Sequence, residues 1–220
     1  MKRRDFTLSL AVTLLSSFRV SRAGPVPASA IWTVVPTIAI VSTDNDARLP
    51  LVHEAVDFWN RSFAELGSVF RLGEVTQIAG ALPVDELKAL SALVVSPQPL
   101  ESRLPDFMHS FPSNIVLALS EGDFISFARR WPSMEKALVA IKTNRTWPLN
   151  LPNVARNLIA HEIGHAIGLG HNSDPTMLMC GRPAPCRPDA FASSTARFFP
   201  LSSEEKALLL THYPADWRGR

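Results

Sequence analysis

The chain has 220 residues, of which 46% are apolar and 19% charged, with a formal charge of +2 and only two cysteines. That balance suits a single ordinary globular core. It excludes a disordered tail, a disulfide-built miniprotein and a strongly basic nucleic-acid binder.

In chain order, the first residues are Met1-Lys2-Arg3-Arg4, followed by a mainly apolar run to Phe18 and then Ser21-Arg22-Ala23. A basic start, a short apolar stretch and small residues beyond it make up a secretory signal, too short to span a bilayer. Arg3-Arg4-Asp5-Phe6 resembles the twin-arginine export signal of bacteria. An ordinary Sec signal that happens to hold two arginines is the other reading. Cleavage is expected after Ala23 or after Ala30, giving an exported protein of the periplasm or the medium with no membrane span. Residues 1–23 hold Lys2, Arg3, Arg4, Arg19 and Arg22 against Asp5. Taking five cations from 22 and one anion from 20 leaves 17 and 19, a net charge of −2.

Thr33 to Ser42 is rich in β-branched residues and reads as a first strand, with Pro36 making its early part irregular. Asp44-Asn45-Asp46 reads as a turn before a helix, and no carboxylate-rich loop suited to structural calcium is visible. From Pro50 to Leu66, the residues Val52, Ala55, Val56, Trp59, Phe63 and Leu66 recur at three and four positions, which predicts an amphipathic helix packed on a sheet. His53 falls in its first turn and reads as a surface residue. Short apolar runs at Val69–Ile78, Ala92–Val95, Ile115–Leu119 and Ala137–Ile141 predict strands, with short helices near Val84–Leu90 and Asp123–Arg130. His109 reads as a loop residue. Strands interleaved with helices imply a mixed sheet with helices against it.

The most informative stretch is residues 161–171, His-Glu-Ile-Gly-His-Ala-Ile-Gly-Leu-Gly-His. Its helix is expected to start after Asn153 as N-cap and to run from Val154 to Gly168. His161 and His165, four apart, share one helix face, so both imidazoles can reach one ion, and Glu162 sits beside that ion without ligating it. Gly168 can take a left-handed conformation, end the helix and turn His171 back toward the first pair. Three neutral nitrogen donors with a vacant fourth position describe a catalytic zinc site. Zinc binding alone has no need of a carboxylate at position 162, whereas hydrolysis needs a base.

The spacing H-E-x-x-H-x-x-G-x-x-H, filled by His161, Glu162, His165, Gly168 and His171, resembles the metzincin zinc metallopeptidases. Met177-Leu178-Met179 downstream is similar to the matrixin form of that family, with Met179 as the turn methionine. Two positions depart from the matrixin pattern: Asn172 stands where serine is usual, and Cys180-Gly181 where Tyr-Pro is usual. The resemblance implies one α+β metzincin domain over residues 31–215. A twisted mixed sheet and two helices would lie above a cleft, with the methionine turn and a last helix below it. It further implies a zinc-dependent endopeptidase, monomeric, with Glu162 as general base. The substrate would be a protein or peptide held extended along an edge strand, for which Ile115–Leu119 is the candidate. A zinc-binding peptide-recognition module without turnover, and a hydrolase of peptidoglycan crosslinks, are the alternatives.

Cys180 and Cys186 read as a local disulfide bracing the loop after the methionine turn, or as a thiolate capping the metal. Pro183 to Pro188 reads as a rigid specificity loop. Ser202-Ser203-Glu204-Glu205 forms a capping box ahead of a closing helix to His212, with His212 and Tyr213 there as packing.

Overall fold

The computed structural model describes residues 31–94, 103–145, 147–181 and 195–219. The expected signal at 1–23, the two cleavage points, Cys186 and the specificity loop all lie outside these residues.

Five strands form one mixed sheet: β1 (Ile38–Ser42), β2 (Val75–Ala79), β3 (Ile115–Leu119), β4 (Phe127–Trp131) and β5 (Lys136–Ile141). Their order is β2-β1-β3-β5-β4, parallel throughout except for the antiparallel pair β4–β5. Every residue of β1 and β3 is buried, as expected for parallel strands covered on both faces. The first face carries Ile38, Ile40, Ile115, Leu117 and Val139 against helices α1 (Leu49–Glu65) and α3 (Pro152–Ala166). The opposite face carries Val41, Val116, Ala118 and Leu138 against Leu87 of α2 (Val84–Val94) and the 3-10 turn Asp106–Ser110. Helix α4 (Ser203–His212) closes the described chain.

Helix α1 matches its predicted stripe, burying Val52, Ala55, Val56, Trp59 and Phe63. His53 is exposed, as is His109. Ahead of α1, Asn45 turns the chain at φ +62°, and Arg48, 1% exposed, reaches back under the sheet. Its guanidinium donates to Asp46 Oδ1 and Oδ2, and to the carbonyls of Ser120 at 3.0 Å and Lys142 at 2.7 Å. Those carbonyls follow directly after β3 and β5, so one buried arginine ties two strand ends to the start of α1.

Four expectations are corrected. Ile115–Leu119 is a central strand, hydrogen-bonded to β1 and β5, and has no free edge to offer a substrate. The edge beside α3 is β4, which among the described residues pairs with β5 alone. Asp123–Arg130 is not helical: Phe127, Arg129 and Trp131 are buried in alternation along β4. Ala92 to Val94 continue α2 rather than forming a strand. Asn153 is not the N-cap of α3, because Pro152 already occupies the first turn and Leu151 is the cap residue. The Asn153 side chain instead donates to Thr195 O at 2.8 Å and accepts from Arg156.

Candidate metal centre

Helix α3 brings His161 and His165 to one face, and Gly168 at φ +99° turns the chain directly after it. Gly168 N donates to His165 O at 3.0 Å and Leu169 N to Gly164 O at 2.9 Å, satisfying carbonyls that the helix end would leave open. Two distant residues complete that end. Trp32 Nε1 donates to Ala166 O at 2.9 Å, and the Tyr213 hydroxyl donates to Ile167 O at 3.0 Å while accepting from Trp32 N at 3.3 Å. Tyr213 and His212 therefore serve packing here and reach no ligand position.

The three histidines converge as expected. The Nε2 atoms of His161, His165 and His171 lie 3.0 Å apart for the first pair, 2.9 Å for the second and 3.2 Å between His161 and His171. His161 Nδ1 lies 2.8 Å from Leu178 O, and His165 Nδ1 lies 2.8 Å from Leu169 O. A carbonyl can only accept, so both Nδ1 atoms carry the proton and both Nε2 atoms present lone pairs. Burial lowers the His165 pKa to about 4 and also lowers that of His171, which favours the neutral, metal-binding form of those two rings. Bare lone pairs at such distances repel one another unless a cation lies among them. Nitrogens placed tetrahedrally about 2.0–2.1 Å from zinc stand roughly 3.3–3.4 Å apart, which the observed triangle approaches within a few tenths of an ångström. The donor set therefore fits zinc, and each oriented ring has its protein-side proton held by the backbone.

Glu162 is 5% exposed, one residue from the first ligand, and burial pushes its carboxyl up to about 8. It shares with His165 and His171 a cleft of about 410 Å³ whose roof includes Ser126, Phe127, Ala128 and Arg130 at the edge strand. Met179 is fully buried, with its sulfur directed at Gly164 of α3. A Cβ built on Gly164 would stand 2.5 Å from the Met179 sulfur and 3.0 Å from Trp59, so the helix needs glycine where the methionine turn presses against it. Gly181 has a similar reason: a Cβ there would stand 2.2 Å from the His171 ring. Gly181, one of the residues that depart from the matrixin pattern, thus leaves room for the His171 ring. Cys180 is buried beside it. Its pairing with Cys186 lies outside the described residues.

Sequence reading missed the β4 roof and the contact between Asn172 and Glu205, whose side chains are hydrogen-bonded across 33 positions. The alternation Phe127-Ala-Arg-Arg-Trp131 was the available signal for the first. None existed for the second.

No family model matches the chain, and no curated protein matches it. Among solved structures, the archaemetzincin from Methanopyrus kandleri is similar at 20% identity and a TM-score of 0.45, covering 85% of this chain and 98% of that one.

Proposed function

We propose that the chain is an exported zinc-dependent endopeptidase of the metzincin type with matrixin-like features. The observation that carries this is the convergence of three Nε2 atoms beside the buried side chain of Glu162 in an open cleft. His161, His165 and His171 would hold the metal. When bound there, zinc supplies Lewis-acid polarisation of a carbonyl and of water.

The remaining steps belong to the chain's own residues. Glu162 takes the proton of the attacking water and passes it to the leaving amine, and its burial raises its affinity for that proton. The outward edge of β4 receives the substrate as an added antiparallel or parallel strand, with main-chain hydrogen bonds giving affinity and Arg130 and Phe127 flanking the path. Met179 supports the ligands from below without bonding the metal. The basic start and apolar run of residues 1–23 support the export reading, and a Cys180–Cys186 bridge would brace the loop that follows the methionine turn.

The test is Glu162→Gln in the mature protein. It is expected to retain one zinc and to lose cleavage of a peptide library by at least a hundredfold or so, the usual worth of a general base. Retained cleavage removes Glu162 from its role. Wild-type protein that binds zinc but cleaves no peptide indicates a recognition module, and activity confined to purified peptidoglycan indicates a crosslink hydrolase.

A further inference from the structure

We propose that Glu205 is a positioning residue for the third ligand, acting through Asn172, so that the start of α4 and the metal centre share one carboxylate. This rests on the reading that the triad holds zinc.

His161 and His165 are each oriented by a hydrogen bond from Nδ1 to a backbone carbonyl. For His171 no such bond occurs among the described residues, and its ring is the most exposed of the three. Its direction must then be set by its own backbone and by what packs on the ring. Gly181 covers one side of the ring. The backbone is set at the next residue. Asn172 N donates to Met179 O at 2.9 Å, and Asn172 O accepts from Gly181 N at 3.0 Å, forming a short bridge to the methionine turn. The Asn172 side chain is held at both ends: Oδ1 accepts from Asp174 N at 2.9 Å, and Nδ2 donates to Glu205 Oε1.

Glu205 is 6% exposed, and both of its oxygens are engaged. Oε2 accepts from Ser202 N at 2.8 Å, one half of the capping box, while Ser202 Oγ accepts from Glu205 N at 3.2 Å as the other half. A capping box alone needs only one carboxylate oxygen. The second oxygen, buried and directed at the residue after His171, joins helix capping to ligand placement. Losing Asn172 or Glu205 lets the His171 backbone relax, and partners that orient a ligand are typically worth 10–100-fold in metal affinity. The coupling is reciprocal, so zinc must also steady the first turn of α4.

The experiment measures zinc affinity of the metal-free mature protein by competition with a chromogenic chelator, for wild type, Asn172→Ala, Glu205→Ala and Ser202→Ala. Asn172→Ala and Glu205→Ala are expected to bind zinc about 10–100-fold more weakly. Ser202→Ala breaks the capping box from the other side and should stay within about twofold of wild type. Amide hydrogen exchange at the start of α4 should slow on adding zinc to wild type and not to Asn172→Ala. Wild-type affinity in Asn172→Ala, or an equal loss in Ser202→Ala, overturns the proposal. Asn172→Ala leaves the capping box whole, so it decides the matter even where Glu205→Ala fails to fold. A wild-type chain that binds no zinc overturns the metal-site reading and this one with it, whereas zinc binding untouched by Asn172→Ala overturns this one alone.

Discussion

Replacing Gly164 by alanine reads out the contact between the ligand helix and the methionine turn. In an ordinary helix interior the change stabilises by about 0.5–1 kcal/mol, because glycine loses more backbone freedom on folding. Here the new Cβ meets Met179 Sδ at 2.5 Å, Met179 Cε at 3.0 Å and Trp59 Cζ2 at 3.0 Å. Neither neighbour can move aside freely: both are fully buried, and the Trp59 indole is tethered by its Nε1 to Ala160 O at 3.0 Å. Overpacking of this kind costs about 1–3 kcal/mol, so the balance is a net loss of about 1–2 kcal/mol. For a domain of this size that lowers Tm by roughly 2–8 °C. In a Met179→Ala background the closest obstacle is gone and only Trp59 Cζ2 at 3.0 Å remains, so Gly164→Ala should cost clearly less. A double-mutant cycle followed by thermal and denaturant unfolding measures the coupling, and the smaller cost in the Met179→Ala background is its signature. Additive effects, or stabilisation by Gly164→Ala in the wild-type background, refute the contact as the reason for glycine. Zinc affinity should fall along with stability, because Leu178, whose carbonyl orients His161, precedes the displaced methionine.

Further outcomes follow from other contacts. Arg48→Met leaves Asp46, whose side chain is 5% exposed, with only the backbone N–H of residue 48 as donor, and should cost about 2–4 kcal/mol in denaturant unfolding. Adding Asp46→Asn should recover a large part of that loss, and a cost under about 1 kcal/mol for Arg48→Met alone would contradict the tie between strand ends. Tyr213 is the chain's single tyrosine, and burial raises its pKa from 10.0 to about 12, so phenolate absorbance reports this residue alone. A folded pKa above the unfolded one gives stability that is fully present below pH 10.0 and lost as pH rises toward about 12. Two pH units at about 1.4 kcal/mol each amount to about 3 kcal/mol, and Tyr213→Phe should abolish that alkaline slope. Gly181→Ala should leave the fold near its wild-type Tm while weakening zinc binding about tenfold or more, since its Cβ falls on the His171 ring. Unchanged affinity there would remove that glycine from the site's geometry.

The parts legible in the sequence are those in which neighbours in space are also neighbours along the chain. The stripe of α1, the unbroken apolar run of β3 and the motif on α3 with its glycine turn are all local patterns. Whether β3 lay at the centre or the edge was not local, since that depends on β5, which follows it in the chain. β4 was misread because Phe124, Phe127, Ala128 and Trp131 also fall at helical spacing, and two arginines hide the alternation. Asn153 has the chemistry of a cap, but Pro152 starts the helix first and leaves the asparagine inside, where Thr195 takes its amide. The bond between Asn172 and Glu205, and the indole of Trp32 on the end of α3, join residues 33 and 134 apart, a separation no periodicity reports.

The hydroxyl of Tyr213 on the last turn of α3 also bears on the order in which the molecule can be completed. During synthesis all three histidines leave the ribosome before the residue that closes the end of their helix. Helix α4 and Glu205 also come after them. A nascent or truncated chain ending before Glu205 therefore carries every ligand and the carbonyls of Leu169 and Leu178, yet lacks both Glu205 and the Tyr213 hydroxyl on the helix end. Firm loading of the site is in this sense a late event of chain maturation, and chains trimmed from the C-terminal side should lose metal before they lose the sheet.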